Sequence, residues 1–490
     1  MVYLYADIAE RYDGEIDKVI EMKGHVRPEH LKDGYDRKSL TIGSIDIGAG
    51  TTDIMICSYQ YFGKGQSRLV TSPLFWDSFY LAGDDILKAI IQNQIIEGTM
   101  HNDANLGCIY SALEHRMLSL SDEEMKNLPI VQNNLDNPVY YKDKVDGILR
   151  AVSLEERNRL IKEMSSDMLH DYFGVDSSMM GHKSRKCRND FNTQISVFIA
   201  QMFLRLLADK YPAKLYRYDE IFKKEKPSPY LLEHFANHFG FRFEELNWRF
   251  EPLEVAEQVR TALEPLMKQL SVVLKAYDCD IVVLSGRPCS LDSITELFIK
   301  YYPISPDRLV RLGKYRVGNW YPLADGRGYF VDQKSVVAVG AMVGYMANNV
   351  GFEGMELDFK KVVKNMKSTA KYIGPYKSRS QKVEEIYLSP DKNTYSIKGE
   401  RFPVFLGCKQ FNVPNYSARP LYALYNCSSS KGLTVMLQRN YVQNREELEV
   451  VDVIDSEGNT LSPSDVELVQ QSLVDDGKYW LDKGEFELSV

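Results

Sequence analysis

The stretch SIDIGAGTTDIMI, residues 44–56, sets Asp46 and Asp53 on either side of a run of small residues. Ile45 and Ile47 precede that run, and Ile54 and Ile56 follow it. Closely spaced apolar residues on both arms predict two strands buried on both faces. Between them, Gly48, Ala49, Gly50, Thr51 and Thr52 predict a bend. Glycine adopts backbone angles that a Cβ forbids, so successive N–H groups can converge on one concavity. Such a nest binds phosphate oxygens, and the two Thr hydroxyls add donors. Asp46 leaves the first strand and Asp53 opens the second, so both can face one cavity. A carboxylate there suits hydrated Mg²⁺, which keeps its waters and takes few protein ligands. It equally suits orienting the attacking water in phosphoryl transfer. A plain β-hairpin with a glycine turn accounts for the same residues. A Walker loop does not, because the Gly-Lys-Ser/Thr triplet is missing and the bend leads to a strand rather than a helix.

Three downstream segments bear on that choice. YLAGDDIL, residues 80–87, puts Gly83, Asp84 and Asp85 at a helix start, where an ordinary cap is the plain reading. IVVLSGRPCSLDSI, residues 281–294, reads as strand, bend and helix. Ser285, Gly286 and Arg287 there can line a nucleoside pocket, or form a simple strand-to-helix turn. SVVAVGAMVGYM, residues 335–346, is a helix with Ala338, Gly340, Ala341 and Gly344. These small residues admit a close helix neighbour, or make a tight core helix; the run is too short for a membrane GxxxG reading.

The 490 residues suggest roughly three domains at about 150 residues each. The net charge of −8 argues against a general nucleic-acid surface. Seven Cys with no CxxC pair read as reduced thiols, hence a cytoplasmic protein. No secretory leader follows Met1, and the longest apolar runs fall short of a membrane span. Periodicity predicts helices over 2–20, 84–97, 192–209, 230–239, 253–276 with a bend at Pro265, 290–302 stopped by Pro303, and 334–348. Residues 24–38 read as a connector. Residues 370–490 change character, with short strands at EEIYL, TVMLQ and LEVVDVI and a closing helix capped by Ser462.

In this order the segments resemble the actin-like ATPase superfamily, which includes actin, DnaK-type chaperones, the division protein FtsA and sugar kinases. DIGAGTTD resembles the second phosphate segment, LSGRPCS the adenosine segment and AVGAMVG the second connecting helix. The adenosine match departs from the pattern by having Ser285–Gly286 where a Gly pair is usual. More narrowly, VLSGRPCSLDSITELF, YRVGNWYPLADGRGYFVDQKSVVAVGAMVGY and KYWLDKG are similar to segments of the virulence factor SrfB family, which is bacterial. The resemblance implies an α/β fold: an actin-like (ribonuclease H-like) lobe over 39–350 with a helical insert at about 100–250. Residues 1–38 would be a remnant of a first lobe plus connector, and 370–490 a smaller β-rich C-terminal domain. The superfamily's first phosphate segment and first connecting helix have no match before residue 39. The resemblance therefore implies the second half of a two-lobed ATPase, a fragment or part of a split protein, with little turnover alone.

By the same resemblance the insert covers the base. HKSRKCRNDFNTQ, residues 182–194, brings Lys183, Arg185, Lys186 and Arg188 to a helix start. Arg185, Arg188 and Asn192 are the expected base or ribose contacts, since Arg stacks and forks better than Lys; a solvated charged face is the plain alternative. His234 and His238 lack a third ligand, and Cys57 lacks a base, so neither marks chemistry.

The expected function is ATP or ADP binding with Mg²⁺, with nucleotide state coupled to a protein partner through the C-terminal region. Gly48, Ala49, Gly50, Thr51 and Thr52 would hold phosphates, with Gly83 and Asp84 nearby. Asp46 would hold Mg²⁺ through water or orient the attacking water, Asp53 would support it, and Ser285, Gly286 and Arg287 would approach the nucleoside. The alternative is a scaffold that kept the fold and lost the chemistry. A small-molecule kinase would need an acceptor pocket and a base that nothing here supplies.

Overall fold

A computed structural model describes residues 2–12, 15–27, 38–62, 68–98, 108–133, 139–175, 181–350, 356–357, 368–377, 380–399, 401–413, 416–428, 430, 432–442, 445–471 and 480–490. Most of the expected 24–38 connector lies outside them. The chain divides into two compact units. One is Met1–Gly83, Pro265–Ser290 and Ile294–Val474; the other is Asp84–Glu264, Leu291–Ser293 and Asp475–Val490.

The first unit is built on a mixed six-stranded sheet. The quoted stretch supplies its centre: β1 (Ser39–Ile47) and β2 (Thr52–Phe62), followed by β3 (Arg68–Phe79). The strand order is Leu309–Arg311, Ile281–Ser285, β1, β2, β3, Glu356–Leu357. β1 runs antiparallel to β2 and parallel to Ile281–Ser285. Leu40 and Ile42 lie in one buried cluster with Val2 and Leu4 of the Val2–Arg11 helix, Val19 of Ile16–Lys23, and Val339 and Val343 of Ser335–Asn349. The predicted 2–20 helix is therefore two helices. The small residues of Ser335–Asn349 divide between two surroundings. Gly344 is buried, and a Cβ on Gly340 would sit 3.4 Å from Val2 Cγ2, whereas Ala338 and Ala341 are exposed. On the sheet's other face, a Cβ on Gly43 would come within 2.5 Å of Leu274 Cδ2. The Pro252–Ala276 helix that carries Leu274 is continuous through Pro265.

β1 meets the expectation of burial on both faces. β2 does not at its start: Ile54 and Ile56 are buried while Asp53 is exposed and Met55 is 44% exposed. This alternation is that of a strand with one open face.

The described strands between residues 368 and 471 form two antiparallel sheets. One orders Lys382–Val383, Tyr372–Lys377, Val404–Lys409, Arg419–Asn426 and Val466–Gln470; the other orders Thr394–Gly399, Leu433–Val442, Arg445–Asp455 and Thr460–Leu461. Ile373, Leu406, Leu424, Val435, Leu437 and Val453 share their core. The C-terminal region is β-rich, as its sequence suggests, with two corrections. EEIYL is not a strand: only Leu388 makes a bridge, to Ile373. Ser462 caps a single 3₁₀ turn, Pro463–Asp465, and not a helix. The chain then extends because Val466–Gln470 pairs with Arg419–Asn426, so ladder pairing overrides a local cap signal.

The second unit is mainly helical. Helix His182–Phe191 continues through Asn192–Ser196, where the bonding widens to a π turn, into Val197–Ala208. By length and composition the run His182–Ala208 is apolar enough to cross a membrane, unlike the shorter runs read from sequence. Ile195, Ile199, Ala200 and Phe203 of this helix are buried. Tyr172, Phe173, Phe191, Phe235, Phe239 and Phe243 form a contiguous aromatic cluster in this unit, with Phe191 stacked on Phe235 at 5.5 Å.

Candidate functional site

Register decides where the two aspartates go. Asp46 of β1 pairs with Asp53 of β2 on one side and with Ser285 on the other. Asp53 pairs in turn with Ser78 of β3. Directly paired residues point to the same face of a sheet, so Ser285, Asp46, Asp53 and Ser78 form one polar row across four strands. That row lies on the face that carries Ile42, four residues before Asp46, and Val283, two before Ser285. It sits at the carboxyl ends of the parallel strands β1 and Ile281–Ser285, where open α/β sheets bind ligands.

The row contains two facing carboxylates. Like charges directly opposite are unfavourable, and each carboxylate has a serine hydroxyl as partner. Ser285 Oγ lies 3.0 Å from Asp46 Oδ1 and 3.1 Å from the Ile45 carbonyl, placed to donate to either. Ser78 Oγ donates to Asp53 Oδ1. Asp46 is half-buried and Asp53 exposed. This donor set of hard carboxylate oxygens, partly open to water, fits a hydrated Mg²⁺.

The bend next to the row is a tight turn in which Gly48 N–H donates to the Thr51 carbonyl at 2.9 Å. Neither Gly48 nor Gly50 adopts a left-handed backbone angle, so the expected reason for glycine is replaced by another. A Cβ on Gly48 would lie 2.9 Å from the Thr51 carbonyl oxygen. Gly83 N–H donates to the Gly48 carbonyl at 3.1 Å, and Thr52 Oγ1 donates to the Leu81 carbonyl at 2.8 Å. The Gly48 and Gly83 amides and the Thr52 hydroxyl proton are therefore committed to holding the bend. Among the described residues, no carbonyl accepts from the amides of Ala49, Gly50 or Thr51. Ala49 and Gly50 are exposed. Among the described residues, three successive amides beside the carboxylate pair therefore have no backbone acceptor, although none of residues 48–51 takes the left-handed angle of an αR–αL nest.

Gly286 carries the strongest backbone constraint at the site. Its φ is +91°, and a Cβ there would lie 2.0 Å from the Ile47 carbonyl oxygen and 2.9 Å from Asp46 Oδ1. The close approach this glycine permits is to the end of β1. Arg287 begins a 3₁₀ turn, Arg287–Ser290, and is exposed. Burial, with Asp46 adding to it, pushes the Cys289 thiol up to about 12, and burial pushes Cys57 up to about 11. Neither is a nucleophile at neutral pH.

The family model for virulence factor SrfB matches residues 1–133 and 145–487. The chain belongs to the SrfB virulence factor family. No curated protein matches it.

In this SrfB-family chain the loop GNWYP, residues 318–322, is held by aromatic packing. Trp320 meets Tyr5 edge-on at 4.6 Å and Tyr321 meets Phe330 at 4.8 Å. Asp84, Arg185, Arg188 and Asn192 belong to the helical unit, and the row to the other. Asp84 lies in the first turn of helix Gly83–Ile90, and Arg185 is exposed. Arg188 is 2% exposed. Its Nε donates to the Lys483 carbonyl at 2.9 Å and its guanidinium pairs with Glu485 at 2.6 Å. Asn192 Nδ2 donates to the Leu481 carbonyl at 2.8 Å, and Phe486 N–H donates to the Phe173 carbonyl at 2.8 Å. These two side chains anchor residues 480–490 of the SrfB-family chain instead of standing open to a base. Sequence reasoning missed Ser78, the fourth member of the row; the alternation of FWDSF along β3 is the one local signal for its face.

Proposed function

We propose that this chain carries the nucleotide site of an actin-like ATPase of the SrfB type, taking ATP or ADP with Mg²⁺ at the 46–53 bend. The observation that carries this reading is the row Ser285–Asp46–Asp53–Ser78 beside three unpaired amides. The amides of Ala49, Gly50 and Thr51 would hold phosphate oxygens. Asp46, fixed by Ser285, would hold Mg²⁺ through water or orient the attacking water, and Asp53, held by Ser78, would support it. Mg²⁺, when bound, neutralises developing charge on the phosphates. Gly286 and Ser285 set the position of Asp46, and Arg287 reaches solvent next to it. A protein partner would read the nucleotide state through the β-rich C-terminal region.

A scaffold that retained the fold is the second reading. It is favoured by the commitment of the Gly48 and Gly83 amides and the Thr52 hydroxyl proton to the chain itself, which leaves fewer phosphate donors than the motif promises. Calorimetric titration of ATP, with and without Mg²⁺, into the chain and an Asp46→Ala variant separates the two. Saturable, Mg²⁺-dependent binding that the variant loses supports nucleotide binding. Well-folded protein that binds no ATP under either condition supports the scaffold.

A further inference from the structure

β3 ends in Phe75-Trp76-Asp77-Ser78-Phe79. Side chains alternate along a strand, so Ser78 joins the polar row while Asp77 points to the opposite face. On that face Asp77 is 8% exposed and fully engaged. Its Oδ1 accepts from the Ser78 backbone N–H at 2.9 Å and pairs with Arg419 Nη1 at 3.0 Å, and its Oδ2 accepts from Tyr416 Oη. Tyr416 packs edge-on against Phe79 at 5.6 Å, and Phe411 lies 5.4 Å from Phe75. Gln381, from the same C-terminal region, donates to the Tyr80 carbonyl at 3.3 Å and accepts from Ala418 N–H at 2.7 Å. Phe411, Tyr416 and Arg419 of the β-rich region are thus clamped to the back of the strand whose front holds Asp53.

We propose that Asp77 is a positioning residue for Asp53, and that Tyr416 and Arg419 make the β-rich region a regulator of the carboxylate row. The route is short: Tyr416 and Arg419 hold the Asp77 carboxylate, that carboxylate holds the Ser78 amide, and the Ser78 hydroxyl holds Asp53. Each link is a hydrogen bond or ion pair on two consecutive residues of β3. The position of the Asp53 carboxylate is thereby set from the far side of the sheet, by residues more than 330 positions along the chain. Burial raises the Asp77 carboxyl above its ordinary value, with Arg419 and Tyr416 acting against that rise. Partners that keep a buried carboxylate charged are partners it must retain. The consequence for nucleotide affinity rests on the function proposed above; the geometric coupling does not.

Two measurements on the full chain test it. Tyr416→Phe deletes one hydrogen bond and keeps the ring against Phe79, and Tyr395→Phe serves as a control in the same region, where Tyr395 Oη donates to Glu385. With ¹³Cγ-labelled Asp, the Asp53 carboxyl signal, assigned through Asp53→Asn, should move in Tyr416→Phe and in Ser78→Ala but not in Tyr395→Phe. Calorimetry should show Mg²⁺-dependent ATP affinity falling about 3- to 10-fold in Tyr416→Phe, the worth of roughly one hydrogen bond, with Mg²⁺-free affinity unchanged. The Tyr416→Phe, Ser78→Ala double variant should lose no more than Ser78→Ala alone, because the two act on one path. An unmoved Asp53 signal in Tyr416→Phe overturns the proposal, as do fully multiplicative losses in the double variant. A moved Asp53 signal in a chain that binds no ATP upholds the positioning and overturns the nucleotide reading instead.

Discussion

The bend at 46–53 and the basic helix start at 182–194 carry similar promise as sequence, and the folded chain uses them in opposite ways. At the bend, strand pairing brings Asp46 and Asp53 face to face and leaves Asp53 exposed, and among the described residues three amides have no backbone acceptor. At the helix, Arg188 and Asn192 are buried and bonded to carbonyls and a carboxylate of residues 480–490. The difference is one of what each polar group has already spent its hydrogen bonds on. A charged residue at a strand end keeps its face because the ladder fixes it. A charged residue on a helix keeps its face only if nothing distant packs there.

Mutation at the two sites should have opposite weight. Arg188→Ala leaves Glu485 without its cation in a largely buried site, and should cost about 3–5 kcal/mol of stability. Asp46→Ala should change stability by no more than about 1 kcal/mol. Denaturant unfolding of the two variants checks both, and equal losses would erase the distinction between a structural and a functional polar group. Next in size is Gly286→Ala, which forces a Cβ to φ +91° against the Ile47 carbonyl; a loss of about 1–3 kcal/mol or more is expected from the strain alone. A variant as stable as the parent would show that the turn at 286 yields easily and does not brace Asp46.

A smaller effect sharpens the reading of the row. Asp53→Asn removes one of two facing charges and should stabilise the metal-free chain by about 0.2–1 kcal/mol. Added Mg²⁺ should narrow that gap by stabilising the parent alone; thermal melts with and without Mg²⁺ read this directly. The smallest effect lies in a third place, the turn at 325–329. The backbone N–H groups of Tyr329 and Arg327 hold the Asp325 carboxyl below its ordinary range. A depressed carboxylate stabilises its turn at pH above the ordinary Asp value and ceases to do so as pH falls through its lowered value. Protection of the Tyr329 amide should decay over that acid range, and an amide equally protected on both sides of it would contradict the assignment.

Much of the fold was legible because its signals are local. Apolar arms around small residues at 45–56 gave strand, bend and strand, and the apolar run before Ser285–Gly286 gave strand and turn. The pairing of Asp46 with Asp53 follows from a short turn between them. Ser78 was not legible, because its place depends on the β2–β3 register, which shifts at a bulge between Ile56 and Cys57. The fate of Arg188 and Asn192 was not legible either: it is set by a segment almost three hundred residues downstream. The capping pattern at Ser462 was read correctly as a cap and wrongly as a helix, since Val466–Gln470 finds a strand partner that a local pattern cannot announce.

On the reading proposed above, the 46–53 bend holds phosphate and metal. That reading is tested most directly by a crystal structure of the chain with Mg²⁺ and a non-hydrolysable ATP analogue. The account predicts phosphate oxygens within hydrogen-bond distance of the Ala49, Gly50 and Thr51 amides, and a metal-bound water on Asp46. Nucleotide bound elsewhere, with the bend and the carboxylate row empty, would contradict it.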